Sequence, residues 1–129
     1  MKKESIVTII IVIFIIIGEC ISNSHTKEKL GKVEDELSNL KEEILNSDEE
    51  INYYIEKVSN IYENWEEENE LLSYYLEHDE LEKINTQIIL VKGYLESDSP
   101  QDSIPDIEEG IYIINHIKEK QAFNLKNIF

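Results

Sequence analysis

The sequence predicts an all-α protein, with an N-terminal transmembrane or signal helix followed by a small antiparallel bundle of three to four helices. Residues 6–17 read IVTIIIVIFIII, directly behind Lys2 and Lys3. After Ser22, apolar residues recur every three or four positions, the spacing of amphipathic helices, and no strand-like alternation outcompetes it. We therefore divide the chain into residues 1–21, a membrane anchor or signal segment, and residues 22–129, an acidic helical bundle domain.

The apolar segment is short for a membrane span. From Ser5 to Gly18 it has fourteen residues, about 21 Å of helix at 1.5 Å per residue, whereas a hydrocarbon core of about 30 Å needs roughly 20 residues. Extension to Ile21 gives seventeen residues but takes in Glu19 and Cys20. The length therefore fits a short retained anchor or the apolar region of a cleaved signal peptide. Lipidation of Cys20 is a third alternative, although Glu19 stands where a small residue is expected.

Lysine residues on the two sides of the segment predict its orientation. Lys2, Lys3 and the terminal amine lie on one side, and Lys27, Lys29 and Lys32 on the other weaken the asymmetry. Because the N-terminal tail is so short and Glu19 is the nearest charge on the far side, we expect a cytoplasmic N-terminus. The expected location is the cell membrane, with a single pass and an extracytoplasmic C-terminal domain.

The first two helices of the body follow from apolar spacing. Thr26 is a plausible start for a helix with a coiled-coil-like seam, formed by Leu30, Val33, Leu37, Leu40 and Ile44. Residues 46–48 interrupt it, and Ser47 with Glu50 forms a predicted capping box for the next helix. The face predicted for that helix comprises Ile51, Ile55, Val58, Tyr62 and Trp65.

The sequence beyond Trp65 leaves one question open. Polar residues Glu68 and Asn69 interrupt the seam before it resumes at Leu72, so the helix either continues or bends there. Asp79 with Glu82 offers a second capping box. It would open a third helix whose apolar face comprises Leu81, Ile84, Ile88, Val91 and Leu95.

A last helix follows the clearest loop of the chain. Residues 97–101 read SDSPQ, a composition typical of loops. Ser103 is the predicted cap and Pro105 fits the first turn. The apolar face then comprises Ile107, Ile111, Ile114 and Ile117.

Charge excludes some classes of partner. The net charge is −16, and from Glu42 to Glu82 a single lysine, Lys57, stands against fifteen carboxylates. Such a surface repels nucleic acid and anionic lipid headgroups, so we expect neither as a partner. The stretch from Ile111 reverses sign, with lysines at 118, 120 and 126. It is either a solvated surface, the simpler interpretation, or a strip that lies along the acidic segment.

The sequence offers no motif for catalysis, and we expect a non-enzymatic protein without cofactor or metal. His78 and Glu82 share a helix face at a four-residue spacing, and His116 could approach them from the last helix. A zinc site needs a third and usually a fourth ligand, and nothing in the sequence requires that approach. Cys20, the single cysteine, lies at the membrane edge and not beside a base in a shaped pocket. No catalytic, cofactor-binding or metal residue is therefore assigned.

Several landmarks together resemble a known family. A short apolar N-terminus precedes Trp65, then His78-x-Glu80-Leu81, then residues 124–129, NLKNIF. This arrangement is similar to domain-of-unknown-function family 4363 (DUF4363), small proteins of clostridia and related Gram-positive bacteria. The resemblance implies an N-terminal membrane segment and an all-helical body, supplies no activity or catalytic residues, and favours an anchor over a cleaved signal.

These observations predict a membrane-anchored, extracytoplasmic helical protein of the bacterial cell envelope. Its expected role is protein–protein interaction or scaffolding, with another envelope protein or a second copy as the partner. The alternative is a surface module that binds a small ligand or a cation through His78, Glu82 and the acidic belt.

Overall fold

The first helix runs without interruption from the apolar segment into the bundle. The computed structural model describes residues 2–128, except for the side chains of Leu125 and Ile128. Met1, where the predicted membrane segment begins, and Phe129, where the predicted bundle domain ends, lie outside the described residues. Helix α1 spans Lys3–Asn46, 44 residues. The expected helix start at Thr26 is wrong, because the helix is already formed there. Residues 19–46 include no proline, so no backbone donor is missing from this part of the helix.

Three more α-helices complete a four-helix bundle. Their bounds are Ile51–Leu72 for α2, His78–Glu96 for α3 and Ile104–Ile128 for α4, with a 3₁₀ turn at Pro100–Ser103. Helix α1 packs against α2 and α4, and α3 packs against the same two helices. Because the connections are short, consecutive helices run antiparallel. The predicted all-α class is confirmed, and residues 2–128 contain no strand.

The core follows the predicted faces of α1, α3 and most of α4. Every predicted core residue of α1 and α3 is buried. In α4, Ile111 is only partly buried and packs against the edge of the core. The other three residues of the face predicted for α4 are fully buried: Ile107, Ile114 and Ile117.

Helix α2 turns a different face inward from the one predicted. Its buried positions are Tyr54, Val58, Ile61, Trp65, Glu68 and Leu72. The predicted Ile51, Ile55 and Tyr62 are only partly buried against the core. The two stripes share Val58 and Trp65, and the true one includes residues whose polar atoms conceal them from a search for apolar spacing. The helix continues through the polar break as far as Leu72.

Neither predicted capping box forms. Ser47 is the residue that follows α1, and α2 begins only at Ile51, too late for a Ser47 cap. Helix α3 begins at His78, so Asp79 lies inside the first turn. There its carboxylate is favourable beside the positive end of the helix dipole. Ser103 does directly precede α4, but its hydroxyl donates backwards to the carbonyl of Pro100 at 2.6 Å.

A buried tyrosine holds the turn between α1 and α2. The Tyr54 hydroxyl lies 3.1 Å from the carbonyl oxygen of Glu43 and 3.0 Å from that of Ser47, to which it donates. It also accepts from the backbone N–H of Glu49 at 3.3 Å. A side chain from within α2 thus satisfies backbone groups of the turn after α1, whereas the predicted Ser47 cap would have satisfied N–H groups at the start of α2.

The orientation of α2 can be tested with two isoleucines of the same helix. Ile61 is buried and Ile55 is not, so Ile61→Ala is expected to cost about 2–5 kcal/mol of unfolding free energy, and Ile55→Ala clearly less. Urea unfolding of the full chain in detergent micelles, followed by circular dichroism, measures both. Equal losses, or a larger loss at Ile55, would contradict this orientation.

Candidate functional site

The N-terminal part of α1 is the most apolar exposed surface that residues 2–128 present. Its large side chains between Ile6 and Ile21 are exposed, Phe14 to 70%, except that of Ile16, which is partly exposed. By length and composition α1 is able to cross a membrane, and a signal sequence near the N-terminus passes the same test. None of its most apolar 18-residue stretch is buried in the bundle, unlike the core helix of a soluble protein. So large an apolar surface indicates contact with a membrane or a partner.

The proximal end of the bundle is the end at which the apolar segment of α1 enters. It comprises the first buried turn of α1 at Thr26, the α2–α3 turn at residues 73–77, and the last turns of α4. The α1–α2 turn and the 3₁₀ turn lie at the opposite, distal end. This arrangement follows from the antiparallel order of the helices.

Lysines of α4 tie the proximal half together. Lys118 Nζ lies 2.7 Å from Glu34 Oε2 on α1. Lys120 Nζ lies 3.0 Å from Glu80 Oε1 and 3.6 Å from Glu77 Oε1, at the start of α3. The hydrogen bond with Glu80 and the charges of both carboxylates raise the pKa of Lys120. Lys120 therefore lies along the acidic segment, beside Glu77 and Glu80, whereas Lys118 pairs with Glu34, outside that segment.

A carboxylate lies within the core stripe of α2 near the proximal end. Glu68 is only 9% exposed, and its Oε1 lies 3.3 Å from Lys29 Nζ on α1. Its Oε2, the Thr26 hydroxyl and the Trp65 indole N–H are buried without a hydrogen-bond partner among the described residues. From the sequence, Glu68 is predicted to interrupt the apolar face of α2. Its spacing, three residues after Trp65 and four before Leu72, was the available signal that it faces inward.

A second polar network joins α1 and α2 at the distal end. Lys57 Nζ forms an ion pair with Glu43 Oε1. The hydrogen bond from Lys57 outweighs desolvation and lowers the pKa of Glu43. Burial lowers the pKa of Lys57, but the bond and the charge of Glu43 raise it by more. The pKa of Tyr53 is raised, chiefly by its hydrogen bond with Glu43, and Glu66 does the same to Tyr62. The contacts of Glu43 with Lys57 and Tyr53 join α1 to α2, whereas Tyr62 and Glu66 both lie on α2.

The groove between α3 and α4 contains the side chains considered for a metal. Its volume is about 730 Å³, and Glu82 and His116 both line it, with Asp79 and Glu109. His78 Nε2 lies 3.4 Å from Glu82 Oε2 at the exposed start of α3. Within residues 2–128, no three His, Cys, Asp or Glu side chains are grouped so that they could hold a metal ion. The groove is a wide acidic surface rather than an assembled centre.

The outer surface of α3 carries a small apolar face. Ile89, Leu90 and Tyr94 are exposed to 48%, 42% and 39%, around the exposed Gly93. Residues 84–91 of this helix contain no charged side chain. The α3 face was not among the four predicted core stripes, because its apolar residues lie off the core spacing.

A family model described as "Domain of unknown function (DUF4363)" matches residues 20–128. The chain belongs to this family. The DUF4363 match includes the whole bundle and begins at Cys20, so residues 6–17 lie outside it. No curated protein and no solved structure matches the chain. The DUF4363 description names no activity, substrate or partner.

The Lys29–Glu68 pair of this DUF4363 chain offers a stability test. Lys29→Met leaves a buried carboxylate without its cation, which should cost about 1–3 kcal/mol. Adding Glu68→Leu to the same chain removes that carboxylate and should recover most of the loss. Urea midpoints of the two variants in detergent measure this. A double variant no more stable than Lys29→Met would show that Glu68 is not the source of the cost.

Proposed function

We propose that the chain is retained in the cell membrane by residues 5–21 and presents its bundle outside the cell as a non-enzymatic interaction module. One observation carries this proposal: an apolar segment without a buried residue and the first bundle helix are a single helix. A membrane is the environment in which such a segment is stable. The lysines ahead of it support a cytoplasmic N-terminus.

Contacts of α4 support retention over cleavage. Asn23, Thr26 and Leu30 line a cavity together with Gln121 and Ala122 of α4. The residues just after the apolar segment are thus part of the folded bundle. A cut between residues 20 and 24 would fall at the edge of that packed structure, within a continuous helix.

We further propose that the interaction is made by the α3 face with a second copy of the chain. The seam residues of α1, from Leu30 to Ile44, are buried inside the bundle of the same chain, so they are not available for a coiled coil with a partner. Two copies of net charge −16 repel each other most strongly where carboxylates meet. The uncharged stretch of α3 reduces that repulsion, and interface cores are depleted of charge. Retention in one membrane would also hold both α3 helices parallel.

Retention can be tested by the mass of the native protein recovered from cells. After an alkaline wash of membranes, we expect the intact mass of 15.2 kDa in the pellet. Ile10→Lys with Phe14→Lys should release the chain, because a lysine in the centre of a span costs about 2.5–3.5 kcal/mol. A chain shortened by the N-terminal segment and found in the supernatant would overturn retention.

Self-association can be tested at Leu90 with a matched control. Leu90→Asp should abolish the cross-linked dimer in cells, since it places a charge in the middle of the α3 face. Leu45 on α1 has a similar exposure, 49% against 42%, so Leu45→Asp should leave the dimer unchanged. If cross-linking of the wild-type chain yields monomer alone, or if both variants reduce the dimer equally, the proposal is contradicted. Capture of a different protein through Leu90 would overturn the second copy as partner.

A further inference from the structure

Exposed aromatic side chains surround the proximal end of the bundle. In the α2–α3 turn, Tyr74 is 79% exposed and Tyr75 49%, beside Leu71 at the end of α2. On α4, Phe123 is 63% exposed. Tyr74 and Tyr75 repeat the Tyr53-Tyr54 pair in sequence, yet they lie outside the core that Tyr54 joins. Their exposure therefore needs an explanation other than packing within the chain.

The three exposed aromatic residues Tyr74, Tyr75 and Phe123 form an aromatic rim, and the contacts between helices place this rim close to the apolar segment. The Lys29–Glu68 pair aligns α2 with α1, and the two helices run antiparallel. At about 1.5 Å per residue, Leu72 then lies near the level of His25, and the turn with Tyr74 and Tyr75 lies nearer still to residue 21. On α4, Ala122 shares a cavity wall with Thr26, which places Phe123 at a similar level.

The short apolar segment brings that level into the membrane surface. Its fourteen residues reach about 21 Å of a hydrocarbon core of about 30 Å. A span too short for the bilayer is accommodated when flanking residues sink or the bilayer thins. Residues 19–21 would then enter the edge of the core, and the next turns of α1 would enter a headgroup layer about 5–8 Å thick.

We propose that the proximal end of the bundle rests on the lipid headgroups through Tyr74, Tyr75 and Phe123. This inference rests on the proposed retention. Tyrosine combines an apolar ring with a polar tip and concentrates at membrane interfaces. The turn is suited to that layer, since Tyr74 and Tyr75 N–H groups already donate to Leu71 and Leu72 carbonyls.

Charges around the rim limit how deeply it enters. Glu70 is exposed one turn before the tyrosines, and Glu77 follows them, paired with Lys120. Carboxylates are costly in hydrocarbon but are hydrated among headgroups. The rim therefore occupies a shallow position, with the rings at headgroup depth and the carboxylates in water.

The test uses the full chain in vesicles of zwitterionic phospholipid. In a Cys20→Ser background, single cysteines are introduced as Tyr74→Cys, Phe123→Cys and, as the control, Tyr112→Cys, and each carries an environment-sensitive fluorophore. Tyr112 is 67% exposed but lies midway along α4, away from the rim. Flotation with the vesicles reports retention, and circular dichroism confirms that each labelled chain is folded.

We expect blue-shifted emission at residues 74 and 123, quenched more by nitroxide at the headgroup than by nitroxide deep in the acyl chain. Residue 112 should emit as in water and escape both quenchers. Chains that float with vesicles but show water-like emission at 74 and 123 would overturn the docking alone. Blue-shifted emission that no nitroxide lipid quenches would indicate a protein contact and also overturn it. Failure to float would instead overturn the retention.

Discussion

The continuity of α1 is the constraint on which the rest of the structure depends. A single run of backbone hydrogen bonds connects the exposed apolar residues to the seam that begins at Leu30. Because no loop separates the two, the direction in which α1 leaves the apolar segment also sets the direction of the bundle axis. The other three helices are arranged around that axis by short turns and by packing against neighbours. Under the proposed retention, the bilayer therefore orients the whole domain.

The sequence predicted the core well where a helix buries only apolar side chains. That condition holds in α1 and α3, whose faces emerged residue by residue from spacing alone. It fails in α2, where the core stripe contains the hydroxyl of Tyr54 and the carboxylate of Glu68. Each polar group is buried for a reason that needs another helix: Tyr54 bonds the end of α1, and Glu68 faces Lys29. Spacing within one helix carries no information about those partners.

The same limit applies to helix ends and to the surface. Capping boxes were predicted from local chemistry, but α2 begins at Ile51, and the preceding turn is bonded by the hydroxyl of Tyr54. The ion pairs of Lys118 and Lys120 join residues far apart in sequence, so only the alignment of α4 with α1 and α3 reveals them. The α3 face could be identified only once the core stripe was known, because its residues are defined by what the core leaves out. His78, Glu82 and His116 illustrate the converse, since two of them reach one groove without forming a centre.

The length of α1 beyond the apolar segment has a further consequence for any partner. Between Ile21 and Asn46 the helix rises about 38 Å at 1.5 Å per residue, and the distal turns stand at that height. Leu90 lies about twelve residues into α3, so its height above the proximal end is roughly 18 Å. Because α1 is one uninterrupted helix along this length, the bundle is held at a fixed distance from the apolar segment and is not connected to it by a flexible linker. Under the proposed retention, a protein that meets the α3 face therefore presents its own surface at that height above the bilayer.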